Sequence, residues 1–331
     1  MKDTLRYLFA HQTLFREQAK DTLKSISQGF YSEAEIAAFI TVYLMRPITP
    51  DELAGFRDAL LDLCIPADCS DYNTIDVCGT GGDEKNTFNI STATAFILAG
   101  AGIKVVKHGN YSASSVCGSS NLLEHLGYRF SNEAGKIRKE LEQTNFCYLH
   151  APLFHPAMKQ VGPVRKSLGV RTFFNLLGPM VNPARPQNQL VGVYNQEVME
   201  LYHHVYKTSG LNYTLLHNLD GYDEISLTNP FRVISQFDDR VFSPEDIQLT
   251  TVHPVDLAGG KNIEDSAKLF IHILEGNGTK VQNDVVSANA AFGIKCMYPE
   301  KSIEECLATV RESLEKGKAL AALKKLIKLQ P

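Results

Sequence analysis

The sequence predicts an α/β fold: a small all-helical N-terminal domain packed on a larger α/β domain with a central, mainly parallel sheet. Three observations point there. Residues 1–70 carry helical periodicity and helix-start signals, with no strand-like run. From about residue 71 to 331, short apolar runs alternate with helical ones, the pattern of a parallel sheet with crossover helices. Two turns rich in glycine or serine follow the first two of those runs, as loops at the carboxyl ends of parallel strands do.

In chain order, Leu14, Ala19, Leu23 and Ile26 mark one amphipathic face. Ser32 and Glu35 have capping-box spacing before Ile36 to Met45, and Thr49-Pro50-Asp51-Glu52 opens the next helix, with Pro50 at the tolerated first position. The apolar faces of these helices suit a core or a dimer interface. Strands follow at 74–78, 103–106 and 146–149, and helices at 91–101, 119–126 and 133–142. Later strands fall at 189–194 and 213–217, and later helices at 156–168, 196–208, 263–275, 279–296 and 302–316. Residues 229–250, with Pro230, Pro244 and alternating apolar positions, read as an irregular antiparallel excursion. The lysines of 314–328 form a solvated helix face.

A length of 331 residues suits one large or two modest domains. The net charge of -4 gives no support for nucleic-acid affinity. No run approaches the ~20 apolar residues of a membrane helix, so no membrane partner is expected. Met1-Lys2-Asp3-Thr4 lacks the apolar core of a signal peptide. Seven scattered cysteines without a Cys-x-x-Cys pair read as reduced thiols, which places the chain in the cytoplasm.

The chemistry concentrates in four places. Asp76-Val77-Cys78-Gly79-Thr80-Gly81-Gly82-Asp83 reads as a strand end and a glycine turn, in which Gly79, Gly81 and Gly82 are free to take positive φ. Ser91, Thr92 and Asn89 are each competent to cap the helix that follows, and its exposed amides would favour anionic oxygens. Asp83 argues against a plain phosphate cradle; a carboxylate suits ribose hydroxyls or the water shell of a metal. The second loop, Lys107 to Ser120, brings a lysine, an amide and several hydroxyls beside the first. Asp223-Glu224, after the strand at 213–217, reads either as two solvated acids or as oxygen ligands for Mg²⁺, with Ser91 a matching hydroxyl. Arg165, beside Lys166 in a helical stretch, is competent to pair with a carboxylate.

Five blocks in order carry a resemblance over essentially the whole chain. Gly79-Thr80-Gly81-Gly82-Asp83, Asn89-Ile90-Ser91-Thr92, Lys107-His108-Gly109-Asn110, Gly162-Pro163-Val164-Arg165 through Phe174 to Pro179, and Asp223-Glu224-Ile225-Ser226 resemble the signature blocks of the anthranilate phosphoribosyltransferases. The resemblance implies a helical domain, residues 1–70, completed by a segment near 155–185, and an α/β domain spanning 71–331. It implies a homodimer through the helical domain. It also implies transfer of a 5-phosphoribosyl group from phosphoribosyl diphosphate to the amine of anthranilate, with loss of diphosphate, in tryptophan biosynthesis.

By the same resemblance, Gly79, Gly82, Asp83, Thr87, Asn89, Ile90, Ser91 and Thr92 hold the donor from the first loop. From the second loop it is held by Lys107, His108, Gly109, Asn110, Tyr111, Ser112, Ala113, Ser114, Ser115 and Ser119. Arg165 takes the carboxylate of anthranilate, Asn110 its amine, and Gly79, His108, Gly178 and Pro179 line the aromatic pocket. Ser91 and Glu224 hold one Mg²⁺, and Asp223 with Glu224 a second. Catalysis is then positioning and electrostatics, with no covalent nucleophile and no assigned acid or base. The family usually has arginine where this chain has Tyr111, and commonly a Lys-Ser pair where it has Val116-Cys117; both departures bear on diphosphate binding. The rivals are a pyrimidine nucleoside phosphorylase and a non-catalytic nucleic-acid-binding relative. The Lys107–Asn110 block and the Asp223–Glu224 pair argue against the first, and the retained acidic pair with a net charge of -4 argues against the second.

Overall fold

A computed structural model describes residues 1–112 and 115–330; the expectations for Ala113 and Ser114 lie outside it. The chain forms two compact units, Met1–Pro66 with Ala151–Pro183, and Ala67–His150 with Ala184–Pro331.

The first unit is helical: α1 (Lys2–Phe9), α2 (Arg16–Ser27), α3 (Glu33–Met45) and α4 (Pro50–Leu63), with short helices at Ala151–Phe154, Val161–Leu168 and Phe174–Leu177. Both capping boxes form. The Ser32 hydroxyl takes the Glu35 N–H while Glu35 takes that of Ser32, and Thr49 and Glu52 do the same. Gly55 lets α4 lie directly on α2, since a Cβ there would stand 2.2 Å from the Arg16 carbonyl oxygen. Phe39, Tyr43, Phe56 and Phe173 build the centre from edge-on and stacked ring contacts. The helix expected at 156–168 is two pieces, a 3₁₀ turn at Pro156–Lys159 and an α-helix at Val161–Leu168.

The second unit is built on a seven-stranded sheet of order β3-β2-β1-β4-β5-β6-β7. The strands are β1 (Thr74–Gly79), β2 (Lys104–Gly109), β3 (Phe146–His150), β4 (Asn188–Gly192), β5 (Asn212–Asn218), β6 (Phe231–Ser235) and β7 (Asp239–Phe242). The first five are parallel, and β6 and β7 add antiparallel at one edge, inside the stretch expected to be an antiparallel excursion. Helices α5 (Ile90–Gly100), α6 (Ser119–His125) and α7 (Ala134–Thr144) cross between the early strands. Helix α5 is apolar all round because it lies between the sheet and the helices at Lys280–Met297 and Lys318–Lys328.

The strand order reverses between β1 and β4: β2 and β3 lie on one side of β1, and β4 onward on the other. Ligands of open α/β sheets bind outside the carboxyl ends of the strands at such a switch. There Gly79 of β1 and Gly192 of β4 lie opposite each other in register.

Candidate active site

The two glycines form a floor without side chains. A Cβ on Gly192 would stand 1.5 Å from the Asp223 carbonyl oxygen, and one on Gly79 would stand 2.3 Å from Asp223 Oδ2. Only glycine at both places lets the Asp223–Glu224 turn rest on the strand ends. Gly79 was expected to be free to take positive φ, but it is a strand residue; of the three glycines, Gly81 and Gly82 take it, at +66° and +88°. Gly79 is there for close approach, not for conformation.

The acidic turn is then tied to the glycine loop by backbone donors. The Gly81 N–H donates to Asp223 Oδ2 at 2.7 Å, and the Ser91 N–H to Glu224 Oε1 at 2.9 Å. The second bond caps α5. Asn89, one of the three candidate caps, stands at the N-cap position but sends its amide to the Cys117 carbonyl at 2.8 Å, joining the first loop to the second. Residues 86–88 are pinned against 257–259 by a bridge between Thr87 and Ala258 and by a bond from the Phe88 N–H to Leu257. Ile90 and Thr92 are buried in the first turn of α5, so Ile90 has only backbone to offer a ligand.

Strand β2 runs to Gly109, three residues beyond the expected strand end at 106, so Lys107 and His108 lie in the sheet and not in a loop. Lys107 is 2% exposed. Its ammonium donates to the Val77 carbonyl and reaches Ser91 Oγ at 3.4 Å. Burial lowers its pKa, opposed by Asp76, Cys78 and Glu224. Asp76, which sequence reasoning passed over, is buried and accepts the His108 N–H. Burial pushes Asp223 up to about 7, helped by repulsion from Asp83 and opposed by the Gly81 N–H. Burial, then Asp223 and Asp83, push Glu224 well above the usual carboxylate range. Three carboxylates at one strand-end site, with Asp223 buried and Glu224 and Asp83 partly so, call for a counter-charge.

The second loop is internally bonded. Asn110 Oδ1 takes the Tyr111 N–H, and the Ser112 hydroxyl takes the N–H of Ser115. The Tyr111 hydroxyl donates to Glu124 of α6, and its ring stands edge-on to His150 at 4.9 Å. Gly109 passes so close to Tyr148 that a Cβ would lie 2.3 Å from the phenol oxygen. The Ser119 hydroxyl is 2.7 Å from that same phenol.

Three of the named residues lie in the helical unit. Arg165 is partly buried in the helix Val161–Leu168, over the Phe174 ring and 3.4 Å from Asn175 Oδ1, and burial lowers its pKa. Gly178 and Pro179 form the 3₁₀ turn Gly178–Met180.

Sequence reasoning missed Gly192, Asp76, Tyr148 and His150. Gly192 had a usable signal, a glycine ending an apolar strand; the other three carry none, because their partners are 28 to 32 residues away.

A glycine turn between strand and helix, an acidic pair at the sheet's switch point and a buried lysine beside them make a site suited to an anionic, oxygen-rich ligand bound with a divalent cation. The description "Glycosyl transferase family, helical bundle domain" matches residues 2–64, and "Glycosyl transferase family, a/b domain" matches residues 71–320. The chain is 52% identical over 328 residues to an anthranilate phosphoribosyltransferase of Cytophaga hutchinsonii, covering 99% of this chain and 100% of that one. It is 54% identical to one of Christiangramia forsetii, covering 99% of both. The solved structure of anthranilate phosphoribosyltransferase from Thermus thermophilus superposes with a TM-score of 0.93 at 31% identity, covering 99% of both chains. The yeast enzyme in complex with PRPP and Mg shares the fold, with a TM-score of 0.90 at 24% identity over 98% of this chain and 96% of that one. The chain belongs to the anthranilate phosphoribosyltransferase family.

Proposed function

We propose that this chain transfers the 5-phosphoribosyl group of phosphoribosyl diphosphate to the amine of anthranilate, releasing diphosphate, as a step of tryptophan biosynthesis. The observation that carries this reading is the Asp223–Glu224 turn, seated on Gly79 and Gly192 and bonded to the amides of Gly81 and Ser91. It puts acids where a plain phosphate site would put only donors.

The donor set fits a hard divalent cation. It is all oxygen, from Asp223, Glu224 and the Ser91 hydroxyl, and its carboxyls are raised by burial and by the repulsion of neighbouring carboxylates, which a cation would relieve. Mg²⁺ is commonly held by one or two carboxylates together with water and the substrate's own oxygens, which is what the Asp223–Glu224 pair can offer. Two Mg²⁺ ions at Ser91, Asp223 and Glu224 would offset the charge that develops on the diphosphate leaving group.

The chain's own residues do the rest. The amides of Gly81 and Ser91 hold the acids in place, and Lys107 supplies a fixed positive charge beside Ser91. Ribose and phosphate oxygens fall to Gly79, Gly82, Asp83, Thr87, Asn89, Thr92, the second loop and Ser119. Arg165 pairs with the carboxylate of anthranilate, and Asn110 accepts from its amine. Exposed Phe9, Phe15, Phe30 and Met45 on the helical unit support a homodimer. Seven free cysteines support a cytoplasmic setting.

The test follows anthranilate's native fluorescence with phosphoribosyl diphosphate present. Loss of signal only with donor and Mg²⁺, matched by diphosphate release, is the expected result. Persistent fluorescence with the donor bound in calorimetry would overturn anthranilate as the acceptor.

A further inference from the structure

Behind the second loop lies a chain of four side chains, of which the reaction as described uses only Ser119. Ser119 Oγ stands 2.7 Å from the Tyr148 hydroxyl, which stands 2.8 Å from Ser120 Oγ, which stands 2.9 Å from His150 Nδ1. The His150 ring is held in plane by Phe130, stacked at 4.2 Å and 14°, and capped by the edge of Tyr111. Ser120, Tyr148 and His150 are buried, and Ser119 alone keeps partial exposure. Burial raises the Tyr148 phenol, so it remains neutral with one hydrogen to give.

Each hydroxyl has one hydrogen, and that fixes the polarity of the whole chain. Suppose Ser119 gives its hydrogen to a phosphate oxygen, which only accepts. The 2.7 Å contact then requires the Tyr148 O–H to donate to Ser119. Tyr148 has nothing left for Ser120, so Ser120 donates to Tyr148. Ser120 in turn has nothing left for His150, so His150 Nδ1 must carry a proton. Conversely, a bare Nδ1 draws the Ser120 hydrogen, reverses every bond and turns a lone pair of Ser119 toward the ligand.

We propose that His150 is a positioning residue for the phosphorylated donor, setting through Ser120 and Tyr148 whether Ser119 presents a hydrogen or a lone pair to the ligand's phosphate. The inference rests on the reading of Ser119 as a donor contact.

Two measurements on the full chain test it. In a double-mutant cycle, His150→Asp places a pure acceptor at the head of the relay, and Tyr148→Phe cuts it. His150→Asp should raise the Michaelis constant for phosphoribosyl diphosphate at least tenfold with little change in kcat, and should have no such effect in the Tyr148→Phe background. An equal effect in both backgrounds would mean simple charge repulsion or misfolding and would overturn the relay. Independently, ¹⁵N spectra of the histidines, with and without phosphoribosyl diphosphate and Mg²⁺, should show His150 Nδ1 bearing a proton in the bound state. Donor binding in calorimetry with a bare Nδ1 would overturn this inference alone. No donor binding would overturn the donor site and this inference with it.

Discussion

Gly192→Ala puts the reading of the acidic turn at risk with a single methyl group. The added Cβ would lie 1.5 Å from the Asp223 carbonyl oxygen and 2.5 Å from its carbonyl carbon, where ordinary contact begins at 3.4 Å. The clash is with backbone on both sides, so no rotamer relieves it, and the turn must withdraw by nearly 2 Å. A shift of that size breaks the 2.7 Å bond from Gly81 and the 2.9 Å bond from Ser91 that fix the two carboxylates. Misplacing catalytic groups by ~1 Å costs ~10²-fold in rate, so turnover should fall by ~10² or more. Stability should fall by only ~1–3 kcal/mol, the usual cost of overpacking. The assay is anthranilate fluorescence against Mg²⁺ concentration, with far-UV circular dichroism as the check on folding. The Mg²⁺ needed for half-maximal rate should rise while the spectrum stays native. A folded variant with wild-type rate and wild-type Mg²⁺ dependence would refute the claim that the glycine floor positions the acids.

Asp223→Asn combined with Glu224→Gln should cut turnover by at least ~10²-fold and flatten its response to Mg²⁺; wild-type activity in excess chelator would remove the metal assignment. Arg165→Ala should raise the Michaelis constant for anthranilate ~10–100-fold, from ~1.5–3 kcal/mol of charged hydrogen bonding, and leave that for the donor within ~2-fold. Equal effects on both substrates would sink its role. Glu52, fully buried, takes two bonds from Arg46, at 2.6 and 2.9 Å, and the N–H groups of Leu14 and Thr49. Glu52→Gln should therefore cost ~3–5 kcal/mol in urea unfolding of the helical unit. Burial raises the Glu52 carboxyl, but the Arg46, Thr49 and Leu14 bonds outweigh it and hold the net value below 4.5. Its contribution is therefore fully present above pH 4.5 and lost as the pH falls through the depressed folded value, and the acid unfolding curve of Glu52→Gln should lack that component.

The parts of the fold legible in sequence are those whose causes are local. The Ser32–Glu35 and Thr49–Glu52 boxes need only residues three apart. The alternation of apolar strands and helices announced the parallel sheet, because both periods are read within a few residues. What failed has a distant cause. Asn89 has the right chemistry for a cap, but its amide is drawn 28 residues away to Cys117, while Glu224, 133 residues on, closes the helix. Strand β2 outlasts its apolar run because β3 pairs with it as far as Gly109↔His150, which carries Lys107 and His108 into the sheet. Gly79 looked like a turn residue, and only the returning Asp223 reveals it as clearance.

The charge balance at the switch point decides how a diphosphate could bind there. Among the described residues, Asp76, Asp83, Asp223 and Glu224 oppose a single buried cation, Lys107, whose ammonium is already committed to Val77 and Ser91. The first-turn amide of Ser91, the usual resource of a helix start for anions, is taken by Glu224. A diphosphate arriving alone would therefore meet net repulsion and a helix end already capped. Arriving with divalent cations, it meets two carboxyls held above their usual range by burial and by their acidic neighbours. The same acids that repel the bare donor thus favour its metal complex, and binding of donor and of Mg²⁺ should be mutually dependent. Calorimetric titration of the donor with and without Mg²⁺ measures that dependence directly. Equal donor affinity in both would show that the acids do not face the diphosphate.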